Sequence, residues 1–355
     1  MLSSVMAACL APFAQMANRH AMSAVYKSLE IGPDYVRACS QYGMMDAALK
    51  LGVEQPIWID ALTLVSVLKS LPAEEINFTV KGNSLEWECG LSTGKLALLG
   101  EQKIPRIESS VIPQSEAWAP PDSFIDALDL GSIACGSIGM ASAGVYGVLF
   151  DNRNDFSILS SDNITVASCK VSAIVPAFPD LITFSPDAVA MLETVLDGKT
   201  EGVAIAIDSK ALYCVNKAFR LLLRPIPPIK HDLRQIISNF GEGNSVAAIP
   251  EERLGAFVKR ALALAETKGQ SYVSLAAASG ALSMSFAEGA SASDEYYIVD
   301  GLVVPTLPEI KLDAGRVARV LGHASELILD HIERRVLVFR GKTPPFLYMV
   351  SGTQG

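Results

Sequence analysis

Two stretches of this chain place a serine among glycines: Cys135-Gly136-Ser137-Ile138-Gly139 and Ala141-Ser142-Ala143-Gly144. In a hydrolase elbow, Gly-x-Ser-x-Gly, the glycines permit a sharp bend that exposes the serine oxygen as a nucleophile. Both stretches lack the first glycine, so neither predicts that bend. The histidines that would activate such a serine, His20, His231, His323 and His331, are scattered. None stands at ligand spacing from another histidine or a cysteine. The six cysteines (Cys9, Cys39, Cys89, Cys135, Cys169 and Cys214) form no Cys-x-x-Cys pair. They read as buried, reduced thiols of a cytoplasmic protein. There is no Gly-x-x-x-x-Gly-Lys-Ser/Thr loop to cradle a phosphate and no His-Glu-x-x-His pair. The residues predict neither a metal nor a cofactor, and a hydrolase stands only as an alternative.

The remaining chemistry is charge and apolar surface. The chain has 29 Lys and Arg against 38 Asp and Glu, a net charge of -9. Such an acidic total argues against a simple polycationic nucleic-acid binder but permits local basic patches. The elements that would position such patches repeat. Asp60-Ala61, Asp187-Ala188 and Asp313-Ala314 each open a helical pattern, at intervals of 127 and 126 residues. Apolar residues follow four and eight positions later: Leu64 and Leu68, Met191 and Val195, Val317 and Leu321. A short β-like run precedes each helix and a hairpin-like stretch comes after it. So long a period means three copies of a whole domain rather than a solenoid. Prolines at 105, 113, 120 and 121, then at 225, 227 and 228, mark the joins. The expected domains are 1–115, 116–230 and 231–355.

Within each copy the pattern predicts two helices and antiparallel strands, an α+β fold. The first copy opens with an amphipathic helix over Ser4 to Asn18, then strands from Ala24 to Leu29, Tyr35 to Tyr42 and Met44 to Leu49. Lys81-Gly82-Asn83-Ser84 predicts a hairpin between alternating runs. The second copy opens with a helix from Asp122 to about Cys135 that carries Asp122, Asp126 and Asp129 and no base. The third has a helix starting at Pro250, with Leu254, Phe257, Val258, Ala261, Leu262 and Ala265 on one face. Its strands are expected at Tyr272 to Leu275, Ala281 to Glu288 and Glu295 to Leu302.

This order resembles a known family. The stretch Ile57 to Leu99, with Leu71-Pro72, Glu74-Glu75, Gly90-Leu91-Ser92 and a closing Lys95-Leu96-Ala97-Leu98-Leu99, is similar to the first domain of the bacterial beta sliding clamps. Gly147-Val148-Leu149-Phe150 with Ser160 to Ala167 resembles their second domain, with Asn163-Ile164-Thr165 where Gly-His-Arg is usual. Asp232 to Ile237 resembles the link into their third domain, and Phe346-Leu347-Tyr348-Met349-Val350 their final strand.

The resemblance implies a non-catalytic processivity subunit: a head-to-tail homodimer of three-domain protomers closing a ring around double-stranded DNA without sequence preference. Inner-helix cations would then be Arg19, Lys69, Lys199, Arg253, Lys259, Arg260, Arg316 and Arg319. It also implies a groove for short peptides of the replicative DNA polymerase, the clamp loader and repair proteins. By position that groove involves Val145, Ser161, Ile164, Thr165, Val166, Ile236, Arg316, Val336, Tyr348 and Val350. The tail Ser351-Gly352-Thr353-Gln354-Gly355 departs from the family's Met- and Arg-containing end. The acidic helix from Asp122 keeps a second reading open, a clamp-shaped scaffold that does not slide on DNA.

Overall fold

The computed structural model describes residues 1–17, 23–107, 118–136, 144–172, 178–196, 202–243, 246–248, 255–256, 259, 262–263, 272–278, 281–288, 291–298 and 307–354. One order of elements recurs along it. The first set is α1 (Ser3–Met16), β1 (Ser28–Ile31), β2 (Val36–Ser40), β3 (Gly43–Ala47), β4 (Ile57–Asp60), α2 (Ala61–Ser70), β5 (Ile76–Lys81), β6 (Ser84–Cys89) and β7 (Ser92–Ala97). The second is α3 (Ser123–Ser132), β8 (Val148–Asp151), β9 (Ser157–Ser161), β10 (Thr165–Lys170), β11 (Leu181–Phe184), α4 (Pro186–Leu196), β12 (Ala204–Ile207), β13 (Leu212–Val215) and β14 (Phe219–Leu223). A linking helix, α5 (Leu233–Phe240), leads into the last set. That set is β15 (Val246–Ala248), β16 (Tyr272–Ala278), β17 (Ala281–Glu288), β18 (Ser291–Ile298), β19 (Leu307–Asp313), α6 (Ala314–Ala318), β20 (Glu326–Ile328), β21 (Val336–Gly341), β22 (Phe346–Ser351) and β23 (Thr353–Gln354). The helix expected from Pro250 falls largely outside the described residues; 255–256, 259 and 262–263 are helical.

The repeated Asp positions explain why α2 and α6 start where they do. Asp60 Oδ1 accepts the Thr63 amide at 2.7 Å, and Asp313 Oδ1 accepts the Arg316 amide at 2.9 Å. Each carboxylate satisfies an amide that the first helical turn leaves without a partner. The middle copy differs. There α4 begins two residues earlier, at Pro186, and Ser185 Oγ accepts the Ala188 amide at 3.1 Å. The apolar register survives this change: Ala61, Leu64 and Leu68 are buried, as are Ala188, Met191 and Val195, and Ala314 and Val317.

Two strand boundaries depart from expectation. Ala24–Tyr26 is a turn of 3-10 helix, closed by the Lys27 amide on the Ala24 carbonyl at 3.0 Å, and the strand begins only at Ser28. Ser28 Oγ also donates to the Ala24 carbonyl, at 2.7 Å, and so favours the turn over extension. The strand expected at Glu295 to Leu302 is β18, four residues earlier, because Glu288 pairs directly with Ser291 across the hairpin.

The strands form antiparallel sheets. One runs β12-β13-β14-β3-β2-β1-β4; another contains β8-β9-β10-β22-β21-β20-β15 in that order. In each, the third strand of one hairpin run (β1-β2-β3 or β8-β9-β10, with β16-β17-β18 the equivalent run of the last set) pairs with the third strand after the repeated helix of the next set: Met45 with Leu221 in β3 and β14, Ala167 with Tyr348 in β10 and β22. Two smaller sheets, β5-β6-β7 and β18-β17-β16-β19-β23, complete the described strands. The chain accordingly divides into two compact units, Met1–Ile125 with Ile174–Ile226, and Asp126–Ala173 with Pro227–Gly355. In the first unit α1 packs on α2, burying Leu10, Phe13, Leu64 and Leu68 completely or nearly so. Each such side chain contributes about 1.5–3 kcal/mol.

Candidate functional site

The second unit carries a groove of about 270 Å³. Its walls are the turn between β9 and β10, the side of α5, and the ends of β21 and β22. Ser161, Ile164, Val166, Ile236 and Val336 line it, as the resemblance implies. Val145, Thr165, Tyr348 and Val350 do not line it and are buried, each 1 % exposed or less. Burial pushes the Tyr348 phenol up to about 12.

Six lining residues were not foreseen: Asn163, His231, Leu233, Phe240, Met349 and Ser351. A signal for part of them was present. Leu233, Ile236, Ile237 and Phe240 keep i, i+3, i+4, i+7 spacing, which marks one apolar face of a helix. Asp232 caps that helix by accepting the Gln235 amide at 3.3 Å. Leu233, Ile236 and Ile237 pack on Leu149 and Leu159, while Ile236, Ile237 and Phe240 also pack against Val166, Val338 and Met349.

A buried carboxylate anchors α5. Asp151 is fully buried at the end of β8. Its Oδ2 accepts from Arg153 Nη2 at 2.8 Å and from Arg234 Nε at 3.1 Å. Arg153 also reaches the cap residue Asp232 at 3.1 Å, and Arg234 donates to the Asp155 carbonyl at 2.8 Å. Burial alone raises the Asp151 carboxyl, but the bonds from Arg153 and the charge of Arg234 outweigh it, so it lies below its usual range. Two arginines satisfying one buried carboxylate meet the condition under which a buried charge is tolerated.

The groove turn is held by one carboxylate oxygen. Asp162 Oδ1 accepts the Ile164 amide at 3.0 Å, the Thr165 amide at 2.7 Å and the Thr165 hydroxyl at 2.7 Å. Asn163 takes a left-handed φ of 71°, a conformation Asn tolerates better than most residues. Ile164 stays 47 % exposed.

Of the basic positions, Lys69 is exposed in the last turn of α2, and Lys259 and Arg319 are exposed. Arg319 Nη1 donates to the Ile133 carbonyl at 3.2 Å. Arg316 is half-buried and its guanidinium pairs with Asp162. Arg19, Lys199, Arg253 and Arg260 lie outside the described residues. Asp122, just before α3, and Asp126 and Asp129 on it are all exposed.

The groups that could do covalent chemistry are dispersed. Ser137 and Ser142 lie outside the described residues. Burial pushes the Cys169 and Cys214 thiols up to about 12, which suppresses the reactive thiolate. Among the described residues no cluster of three or more His, Cys, Asp and Glu could hold a metal ion. No described helix is long and apolar enough to cross a membrane.

No protein-family model and no curated protein matches the sequence. Solved structures do match along the whole chain. The DNA polymerase III beta subunit of Thermotoga maritima superposes with a TM-score of 0.82 at 13 % identity, covering 100 % of this chain and 98 % of that one. The beta subunit from Pseudomonas aeruginosa gives 0.77 at 16 % identity, covering 100 % and 99 %. The sliding clamp of Bartonella birtlesii, solved bound to griselimycin, gives 0.79 at 15 % identity, covering 99 % and 98 %. From end to end, this chain has the fold of the DNA polymerase III beta sliding clamps.

Proposed function

We propose that the chain is a remote sliding clamp: a non-catalytic, three-domain protomer, divided at 1–115, 116–230 and 231–355, that pairs head to tail into a ring around duplex DNA. The observation that carries this reading is the pattern of strand pairing. The third strand of one hairpin run joins the third strand after the repeated helix of the next set in β3 with β14 and in β10 with β22. Among the described strands, the equivalent pair left over is β18 and β7, and each ends its own sheet. A second copy supplies the missing partner, β18 of one protomer lying beside β7 of the other. An exposed sheet edge is otherwise a liability, and a two-fold head-to-tail arrangement uses both edges.

A ring holds DNA by enclosure, so it needs few phosphate contacts and no base readout. A net charge of -9 with dispersed cations such as Lys69, Lys259 and Arg319 suits that task. The groove beside α5 takes short apolar peptides of the replicative polymerase, clamp loader and repair proteins, in the cytoplasm.

Sedimentation should give a dimer of about twice 37.8 kDa. Protein loaded on nicked circular DNA should be retained in high salt and released when the circle is cut. A monomer, or equal retention on linear and circular DNA, overturns the reading. The exposed carboxylates of α3 favour one other outcome, a dimeric scaffold that binds peptides but is not retained on circles.

A further inference from the structure

Arg316 belongs to both predicted sites, and its side chain serves only one of them. A cation that meets a mobile phosphate backbone must keep its donors in solvent. Arg316 is 24 % exposed in its side chain and its Nη1 pairs with Asp162 Oδ2, on a carboxylate 11 % exposed. The same nitrogen lies 3.4 Å from Thr165 Oγ1. Asp162 Oδ1 is meanwhile occupied by the Ile164 amide, the Thr165 amide and the Thr165 hydroxyl. Ser161 Oγ closes the turn from the other side, donating to the Thr165 carbonyl at 2.8 Å and accepting the Asn163 amide at 3.2 Å. The Ile164 carbonyl in turn accepts the Ser351 amide at 2.8 Å.

The polar groups of this turn thus converge on Asp162 as their hub. Without a cation the second oxygen of the hub is nearly buried and unpaired, a costly state that the turn relieves by opening to water. Opening moves Ile164 and Val166, which line the groove. We propose that Arg316 is a positioning residue of the groove: through Asp162 it fixes the 161–165 turn in the shape that presents Ile164 and Val166 to a bound peptide, and it is not a DNA contact. This rests on the peptide-groove reading for its consequence, though the hold on the turn can be measured without any ligand.

Amide hydrogen exchange in the full chain tests it. In Arg316→Gln, exchange at the Ile164 and Thr165 amides should rise about tenfold, as expected for loss of a charged hydrogen bond. Amides of β21 should not change, Arg319→Gln should leave the turn unaltered, and Arg316→Lys should fall between wild type and Arg316→Gln. Griselimycin, bound in the Bartonella birtlesii clamp and taken as the probe for the groove, should bind Arg316→Gln about tenfold more weakly, while retention on circular DNA should match wild type. Unchanged exchange at Ile164 and Thr165, or a uniform rise that includes β21, overturns the proposal. So does a loss of DNA retention in Arg316→Gln as large as that in Arg319→Gln. If wild type binds no griselimycin while exchange responds as described, the peptide-groove reading fails and the hold of Arg316 on the turn is supported.

Discussion

At the junction of β3 with β14, one face of the sheet carries charges in register: Glu30 opposite Arg37, Arg37 opposite Asp46, Asp46 opposite Arg220. At the junction of β10 with β22, cross-strand neighbours on the groove face are Val166, Met349, Val338 and Ile328. The segments that cover the two faces differ accordingly. In the first unit the cover is a strap without regular secondary structure. Ile104 and Ile107 pack with Cys39 and Met44, against Trp58 and Leu222. Arg220 Nη1 grips the Ile107 carbonyl at 3.2 Å, and the Ile107 amide bonds to the Asp46 carboxylate. In the second unit the cover is a helix, α5, whose one apolar stripe touches the sheet. The strap packs Ile104 and Ile107 directly onto the sheet. A round helix touches along a line and leaves a groove at its flank. The same strand pairing is therefore covered in two ways, by packed linker residues in one place and by a helix flanked by a groove in the other.

The largest effect that would separate the two covers comes from truncating their buried anchors. Leu233 is 1 % exposed beneath α5 and Ile107 is 3 % exposed beneath the strap. Replacing either with Ala should cost about 2–5 kcal/mol in denaturant unfolding, from lost transfer energy and the cavity left behind. On the peptide-groove reading proposed above, only Leu233→Ala should also abolish binding of griselimycin as a probe of the groove, because α5 is a wall of it and the strap is not. If Ile107→Ala weakens that binding as much, the groove does not depend on its own cover and the comparison fails.

Much of this contrast was written in the sequence, though not all of it. The three Asp-Ala helix starts are local chemistry, since a capping carboxylate needs only the next turn of its own chain. Two of them are caps; at Asp187 the cap moved to Ser185 because Pro186 fits the first helical position and lets the helix begin sooner. Five residues that line the groove, Ser161, Ile164, Val166, Ile236 and Val336, are ones that the family resemblance names. The groove's missed residues have two causes. Leu233 and Phe240 belong to a short helix read only as a link, although its stripe was visible. His231, Met349 and Ser351 enter because distant strands converge, and no spacing in one sequence encodes that convergence. The pairing of Arg316 with Asp162 is of the same kind, with 154 positions between the partners.

Acid should act on the two junctions with opposite sign. Burial raises Asp151, but its bonds from Arg153 and the charge of Arg234 bring it below the usual range. Its contribution to stability is then present above the unfolded value of about 3.9 and lost as pH falls through the lower folded value. Burial raises Asp46 as well, and there Arg220 and Arg37 offset it only in part, so it stays above the usual range. Its contribution is present below about 3.9 and lost as pH rises through the higher folded value. Denaturant midpoints measured across the acid range should show Asp151→Asn removing part of the wild-type loss on acidification. Asp46→Asn should instead remove part of the loss on raising pH. Equal slopes in the two variants would mean that the ladder and the anchor are electrostatically the same device.

The smallest effect sharpens the point about burial. Lys170 and Asp155 sit beside the Asp151 anchor, 2.8 Å apart, with side chains 46 % and 60 % exposed. Their distance equals that between Arg153 and Asp151, so a view in which geometry sets strength gives the two pairs equal worth. Solvent screening gives the opposite answer. An exposed pair gains little in water of high dielectric and loses entropy in ordering two long side chains, so a double-mutant cycle on Lys170 and Asp155 should return less than about 1 kcal/mol. Removing Arg153 or Arg234 leaves the buried Asp151 carboxylate with one of its two arginine partners and should cost more than the whole exposed pair. A coupling between Lys170 and Asp155 as large as either arginine loss would show that proximity, rather than exclusion of water, fastens α5 to the sheet.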